Sequence, residues 1–252
     1  MAWRILERAK KDKAAKPDAA SMTVVQHLTE LRDRLFYMMI AVAVGAVICF
    51  ALFDRIIGFM VEPYKDITGQ EGLIFTQPLE AFLTRLKVSA YGGLVVASPV
   101  VFWHLWRFIT PGLYAKEKRY AIPFVASSVV LFVGGSILSL VTFPRALEFL
   151  LGVGGDNLRP LLSAGSYLSL VFLMAISFGF AFEFPILVVF LLLARILTTA
   201  QLRHWRRYAF LAIVIIAAVV TPSQDPITLF ALALPMYLLY EGAILVGRFM
   251  KR

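Results

Sequence analysis

The sequence predicts an all-α membrane protein with six transmembrane helices, and three observations point to this class. Hydrophobic residues make up 60% of the 252 residues and charged residues only 16%, which is more apolar than a soluble domain of this size needs to be. The hydrophobic residues form long runs, and a helix needs roughly 20 such residues to cross a membrane. The charged residues cluster at the ends of the runs, where they set the orientation of the helices.

The chain begins with a charged segment, residues 1–20, which predicts a flexible cytoplasmic tail. Residues 21–252 predict a single six-helix transmembrane domain that begins with an amphipathic helix. One face of this helix is apolar at helical spacing, with Val24, Val25, Leu28, Leu31 and Leu35. Glu30 falls nearly opposite this face, with His27 and Arg34 beside it. The helix is therefore expected to lie in the membrane interface and to lead into the first span.

The six predicted spans cover residues 35–53, 81–109, 120–143, 166–194, 208–220 and 227–247. The fifth holds 13 apolar residues, about 20 Å of helix, and the turn TPSQDP then sends the chain straight back. We therefore predict that the last two helices are short, and that they either thin the bilayer or are extended by interfacial flanks. Prolines 99, 123, 185 and 235 bend the spans and favour a curved wall over a straight bundle.

The distribution of Lys and Arg predicts that both termini are cytoplasmic. Nineteen of these residues lie in the N-terminal segment, two alternate loops and the C-terminus, against four in the other loops, as the positive-inside rule requires. The same distribution accounts for the net charge of +9. The sequence therefore predicts the lipid bilayer as a partner and no nucleic acid.

Three glutamates are candidates for function. Glu183 falls near the middle of the fourth span, and is either a functional group or a neutral acid bonded to a carbonyl freed by Pro185. Glu30 and Glu117 lie among Lys and Arg on the predicted cytoplasmic face. These two either form surface ion pairs of small stabilising effect or bind a cationic ligand. An arginine would suit them, because a guanidinium engages a carboxylate at two points.

Enzymatic function is not predicted. The histidines are His27, His104 and His204, of which only His104 falls in a span, so paired haem ligation fails. The sequence has no HExxH zinc motif, no GxSxG nucleophile elbow and no P-loop. Its single cysteine, Cys49, provides no disulfide framework or cysteine-based metal site. We therefore predict no catalytic residue, no metal and no cofactor.

Five motifs, in order along residues 22–250, resemble the TatC family, the polytopic subunit of the twin-arginine protein translocase. They are HLTELRDRL before span one, PLEAFLTRLKVSAYGG at span two, SPVVFWHLWRFITPGLYAKEKRYAIPF in the first cytoplasmic loop, FGFAFEFPILVV in span four, and TPSQDP with LPMYLLYE in the last hairpin. The resemblance implies a curved, cup-like wall of six spans, in a multi-pass protein of the bacterial inner membrane.

The resemblance also implies a function. Such a subunit binds the twin-arginine signal peptides of folded precursors and associates with itself and with single-span subunits of the TatA and TatB type. Export is then driven by the proton-motive force. The alternative, left open by the residues alone, is a proton-coupled small-molecule carrier using Glu183. The absence of an internal repeat and of discontinuous midplane helices disfavours a carrier.

Site residues follow from the same resemblance. It assigns signal-peptide binding to Glu30, Glu117, Arg32, Phe108 and His27, an intramembrane polar role to Glu183, and partner docking to Thr221, Thr228 and Pro63. Many family members carry a Ser-Gln pair near the start of span six, where this chain has Thr228-Leu229. Thr221 offers another hydroxyl near the same outer end.

Overall fold

The computed structural model describes residues 24–109, 121–155, 161–223 and 225–249. In these ranges the chain folds into nine helices, and one isolated bridge joins Ile74 to Ser163. The helices are α1 (Val24–Ala51), α2 (Phe53–Thr68), α3 (Glu80–Ile109), α4 (Ala121–Gly152), α5 (Ala164–Ala181), α6 (Phe184–Leu193), α7 (Thr199–His204), α8 (Arg206–Val220) and α9 (Pro226–Phe249).

Five segments of the described chain are long and apolar enough to cross a membrane. They are His27–Ala51, Glu80–Phe108, Ile122–Gly152, Ala164–Leu193 and Pro226–Phe249. The sixth apolar helix is α8, whose 15 residues correspond to about 22 Å, less than the thickness of a typical hydrocarbon core. The prediction of six spans with a short fifth helix is therefore confirmed.

The last helix is longer than the sequence analysis predicts. We expect the last two helices to be short, and for α9 this is wrong, because it has 24 residues. Asp225 caps its first turn, with its carboxylate accepting from the amide of Thr228 at 2.8 Å. Pro226 occupies the first helical position, where a missing N–H costs nothing. Pro235 lies inside the helix without ending it.

The predicted interfacial helix is continuous with the first span. No proline or glycine interrupts residues 24–44, and α1 runs unbroken for 28 residues. Leu28 and Leu35 on the predicted apolar face are exposed, whereas the side chains of Glu30 and Arg34 are largely buried. The apolar stripe of α1 therefore faces outward, and its charged pair faces the protein.

Helices α1 and α3 pack closely because glycines lie at their crossing. A Cβ atom at Gly93 would lie 2.5 Å from the backbone nitrogen of Ala46, and one at Gly45 would lie 2.7 Å from the carbonyl oxygen of Gly93. Approach at this distance is possible only for residues without a side chain. This contact brings the two backbones close together at the crossing.

The fourth predicted span is divided into two helices. Helix α5 ends at Ala181, Phe182 and Glu183 form the junction, and α6 begins at Phe184. Pro185 lies in the first turn of α6 and has no N–H to continue the hydrogen bonds of α5. The expectation that no midplane helix is discontinuous is therefore wrong for this span.

Helices α4 and α5 also pack closely against each other. The hydroxyl of Ser136 on α4 donates to the carbonyl of Ala175 on α5 at 3.0 Å. Gly179 of α5 packs against the ring of Phe132, and Gly135 of α4 packs against the backbone of Phe178. Small residues thus bring these helices together, as is common where water provides no driving force.

At the end of the molecule where α3 begins, Glu80 joins two loops. One of its carboxylate oxygens accepts from the backbone amide of Gly165 at 2.9 Å. The other accepts from the amide and the hydroxyl of Thr76, both at 2.7 Å. Glu80 therefore holds the loop before α3 against the first turn of α5.

Candidate functional site

A cluster of polar and aromatic residues lies where α1 begins and α3 ends, which we call the α1–α3 end. The rings of His27 and Phe108 stack at 4.3 Å between centroids, with 16° between their planes. Further along, the rings of Tyr37 and His104 stack at 5.5 Å. The antiparallel packing of α1 and α3 thus brings two predicted site residues, His27 and Phe108, into contact.

Glu30 is the acid of this cluster. Arg34, one turn further along α1, directs two donors at the same carboxylate oxygen, Oε1: its Nε at 3.0 Å and its Nη2. The second oxygen, Oε2, is buried and has no hydrogen-bond partner. The side chains are 23% exposed for Glu30 and 14% for Arg34, so this pair is more shielded from water than a typical surface ion pair.

Of the two remaining predicted ligands of the signal peptide, Arg32 is not brought to this cluster. Arg32 lies on the exposed side of α1, where its Nη2 pairs with Asp33 at 2.8 Å and its side chain is 76% exposed. Glu117 lies outside the residues that the structure describes, so its distance from Glu30 stays a prediction.

Glu183 lies at the junction between α5 and α6, as the sequence places it near the middle of a span. Its side chain hydrogen bonds to that of Ser128 on α4, and its Oε1 is buried and has no hydrogen-bond partner. The partner that the structure supplies is therefore a serine hydroxyl. An acid in a span with one unsatisfied oxygen is expected to face protein or water rather than lipid.

The turn between α8 and α9 is held by polar side chains. Thr221 is buried, and its hydroxyl donates to the carbonyl of Ala217 at 2.5 Å. The buried hydroxyl of Thr228 donates to the Asp225 carboxylate at 2.6 Å and bonds with Ser223 at 3.0 Å. Both predicted docking threonines are thus engaged inside the protein, and docking through them stays a prediction.

Asp225 is a residue that the sequence analysis misses. Burial alone would raise the pKa of its carboxyl, but hydrogen bonds from Ser223 and Thr228 outweigh burial and lower this pKa below its usual value. The spacing Asp-Pro-x-Thr could have identified it, because Asp before Pro at a helix start is typical of an N-cap.

Two grooves flank these elements. Pro63 of α2 lines a groove of about 440 Å³ between α2 and α4, beside the acids Glu62 and Asp66. An apolar groove of about 590 Å³ runs between α5, α6 and α8, and its lining includes Phe184 and Val220. The second groove lies next to the Glu183 junction and to Thr221.

Together, the long apolar helices, the short α8 and the buried acids define a multi-pass membrane protein. A family model described as Sec-independent protein translocase protein (TatC) matches residues 26–235. The chain belongs to the TatC family.

Similar proteins carry the same description. The Sec-independent protein translocase protein TatC of Frankia casuarinae is 43% identical over 238 residues, covering 90% of this chain and 65% of the relative. That of Magnetococcus marinus is 38% identical, covering 91% of this chain and 85% of the relative. A crystal structure of the twin arginine translocase receptor TatC in DDM aligns with a TM-score of 0.74 at 37% identity, covering 88% of this chain and 99% of that chain. None of these comparisons supports the small-molecule carrier.

Proposed function

We propose that this chain is the subunit of a twin-arginine translocase that binds the signal peptide of folded precursors. The observation that carries the proposal is the cluster at the α1–α3 end, where the Glu30 carboxylate lies near the stacked rings of His27 and Phe108. A carboxylate can accept two hydrogen bonds from a guanidinium, and Oε2 of Glu30 has no partner. Names of relatives, all Sec-independent translocase proteins, support the same activity.

The α1–α3 end faces the cytoplasm in this proposal, because the distribution of Lys and Arg favours cytoplasmic termini. The membrane is the bacterial inner membrane, across which the proton-motive force drives export. Glu117, in the loop between α3 and α4, is the second carboxylate for the arginine pair, and Arg32 contributes from the exposed side of α1.

Single-span subunits of the TatA and TatB type, and further copies of this chain, are the proposed partners. The groove between α5, α6 and α8 supports docking of a single helix, because it is apolar, open and about 590 Å³ in volume. Thr221 adjoins this groove, and Thr228 lies in the same turn. Pro63 and its groove between α2 and α4 provide a second docking surface at the outer end. Glu183 is proposed to contact the apolar part of the signal peptide or a partner helix.

The signal-peptide proposal is tested by binding to the purified full-length chain in lipid nanodiscs. The probes are a labelled peptide with a twin-arginine motif and the same peptide with Lys-Lys. We expect the wild type to prefer the twin-arginine peptide, and Glu30→Gln to lose most of this binding, because Gln keeps the shape but removes the charge. Glu117→Gln is expected to do the same.

A matched control is Glu148→Gln. Glu148 is also a helical carboxylate paired with an arginine, Arg145, at 3.0 Å, but it lies at the opposite end of the molecule. Its substitution is expected to leave peptide binding unchanged. Equal binding of both peptides by the wild type would contradict the proposed function. So would wild-type affinity in both the Glu30 and the Glu117 variant.

A further inference from the structure

The Glu30 carboxylate is already occupied by an arginine, and that arginine belongs to the protein. Arg34 donates from Nε, at 3.0 Å, and from Nη2 to the single oxygen Oε1. A ligand arginine would use the same donors on the same acceptor. Because Glu30 and Arg34 are four residues apart on one helix, this contact needs no rearrangement of the backbone.

One oxygen of Glu30 is already bonded, and the other is buried. Oε1 is held by Arg34, and Oε2 has almost no accessible surface and no hydrogen-bond partner. A ligand guanidinium that engages both oxygens therefore requires a neighbouring side chain to move. Arg34 is the neighbour that holds the carboxylate, and its own side chain is mostly buried.

Within the described residues, the surroundings of Arg34 offer it no good replacement for its ion pair with Glu30. Asp33, the other acid on this turn, is paired with Arg32 on the exposed side of α1. Arg34 and Arg107 both interact electrostatically with His104, so a second positive charge lies nearby. Moving Arg34 away from Glu30 into this positively charged surrounding costs free energy, and this cost opposes ligand binding. The cost is the same for every cationic ligand, because each of them has to displace Arg34.

We propose that Arg34 is an internal competitor for the signal peptide: it occupies Glu30 as the ligand's arginine would, and must be displaced before the peptide binds. This inference rests on the proposed function. The free receptor thus keeps a buried carboxylate neutralised, and its affinity for signal peptides is set below the maximum that Glu30 allows. Arg34 acts through Glu30 and is a positioning residue of the site.

If Arg34 must be displaced, its replacement in Arg34→Gln should change the affinity for the peptide. The affinities of the twin-arginine and Lys-Lys peptides are measured on the full-length chain in nanodiscs. Both peptides should bind more tightly, by roughly fivefold, the factor that corresponds to the upper value for an ion pair near a protein surface. The ratio between the two affinities should stay constant, because the step that is removed is common to both peptides. A residue that merely supported the fold would weaken binding when replaced.

Two further variants separate displacement from a general effect of charge. Arg34→Lys keeps the charge but removes the two-point contact, and should lie between the wild type and Arg34→Gln. Arg107→Gln removes a nearby charge without touching the Glu30–Arg34 pair, and should have a smaller effect that disappears at high salt. If Arg34→Gln does not fold, as judged by circular dichroism, Arg34→Lys alone decides.

The outcomes are distinct. Tighter binding of both peptides in the order wild type, Arg34→Lys, Arg34→Gln supports the internal competitor. Unchanged or weaker binding in the Arg34 variants, with a wild type that still prefers twin arginine, overturns this inference and leaves the proposed function standing. A wild type without that preference overturns both.

Discussion

Replacing Gly93 with alanine tests whether the close crossing of α1 and α3 determines the geometry of the site. The added Cβ would lie 2.5 Å from the nitrogen of Ala46, 2.8 Å from its Cα and 2.8 Å from the carbonyl oxygen of Val42. All three atoms belong to the backbone of α1, so no side-chain rotation relieves the overlap. The two helices must move apart.

The size of the effect follows from these distances. An ordinary van der Waals contact begins at 3.4 Å, so the crossing must widen by about 0.9 Å. A gap of this size loses a quarter to a half of the dispersion attraction between the atoms that separate. Overpacking typically costs about 1–3 kcal/mol, which exceeds the gain of up to ~1 kcal/mol from replacing a helical glycine with alanine. The net effect should be destabilising.

The matched control is Gly134→Ala, since a Cβ atom at Gly134 in α4 has no heavy atom within 4 Å. Unfolding of both variants in detergent would be followed by circular dichroism, and peptide binding would be measured in nanodiscs. We expect Gly93→Ala to unfold earlier and to bind less peptide, because the stacking of His27 on Phe108 depends on the same two helices. If both variants behave alike, the glycine contact does not set the spacing of α1 and α3.

Two other predictions concern the end of the molecule opposite the α1–α3 end. Asp225→Ala should destabilise the hairpin of α8 and α9 by about 1 kcal/mol, the usual effect of losing a helix cap, measured by hydrogen exchange at the Thr228 amide. The pKa of Asp225 is lower in the folded state than its ordinary value, which is near 3.8. The stabilisation provided by its carboxylate is therefore present above that ordinary pKa and is lost as the pH falls through the folded pKa. The difference in stability between Asp225→Ala and the wild type should then vanish in strong acid. Glu80→Ala should accelerate exchange at the Gly165 amide, which loses its acceptor, while Glu71→Ala in the neighbouring loop should not; equal rates would contradict the role given to Glu80.

The order and approximate extent of the spans could be predicted because they depend on one property, the length of the apolar runs. The short α8 follows from its 13 consecutive apolar residues. The junction at Glu183 could not be predicted in the same way. Pro185 indicates that the helix is bent or interrupted near this position. Whether a proline bends a helix or ends it depends on the packing around it, as the unbroken helix through Pro235 shows.

The sequence predicts which face of α1 carries Glu30, but not which side chain pairs with it. A helical wheel places Glu30 opposite the apolar face of α1, and in the structure Glu30 is turned toward the protein. The wheel offers Glu30 two neighbours, His27 and Arg34, and does not choose between them. The choice is made by α3, because Phe108 stacks on the ring of His27 and leaves Arg34 to pair with the carboxylate.

Glu183 illustrates how the fold accommodates an acid that lipid would reject. A carboxyl group in a span needs a polar partner, and the adjacent helix α4 supplies one. Ser128 of α4 bonds to the Glu183 side chain. The groove beside α8 opens next to this junction. Oε1 of Glu183 is buried and has no hydrogen-bond partner, so a polar group from a partner helix would reach this acceptor only if the junction opened toward the groove.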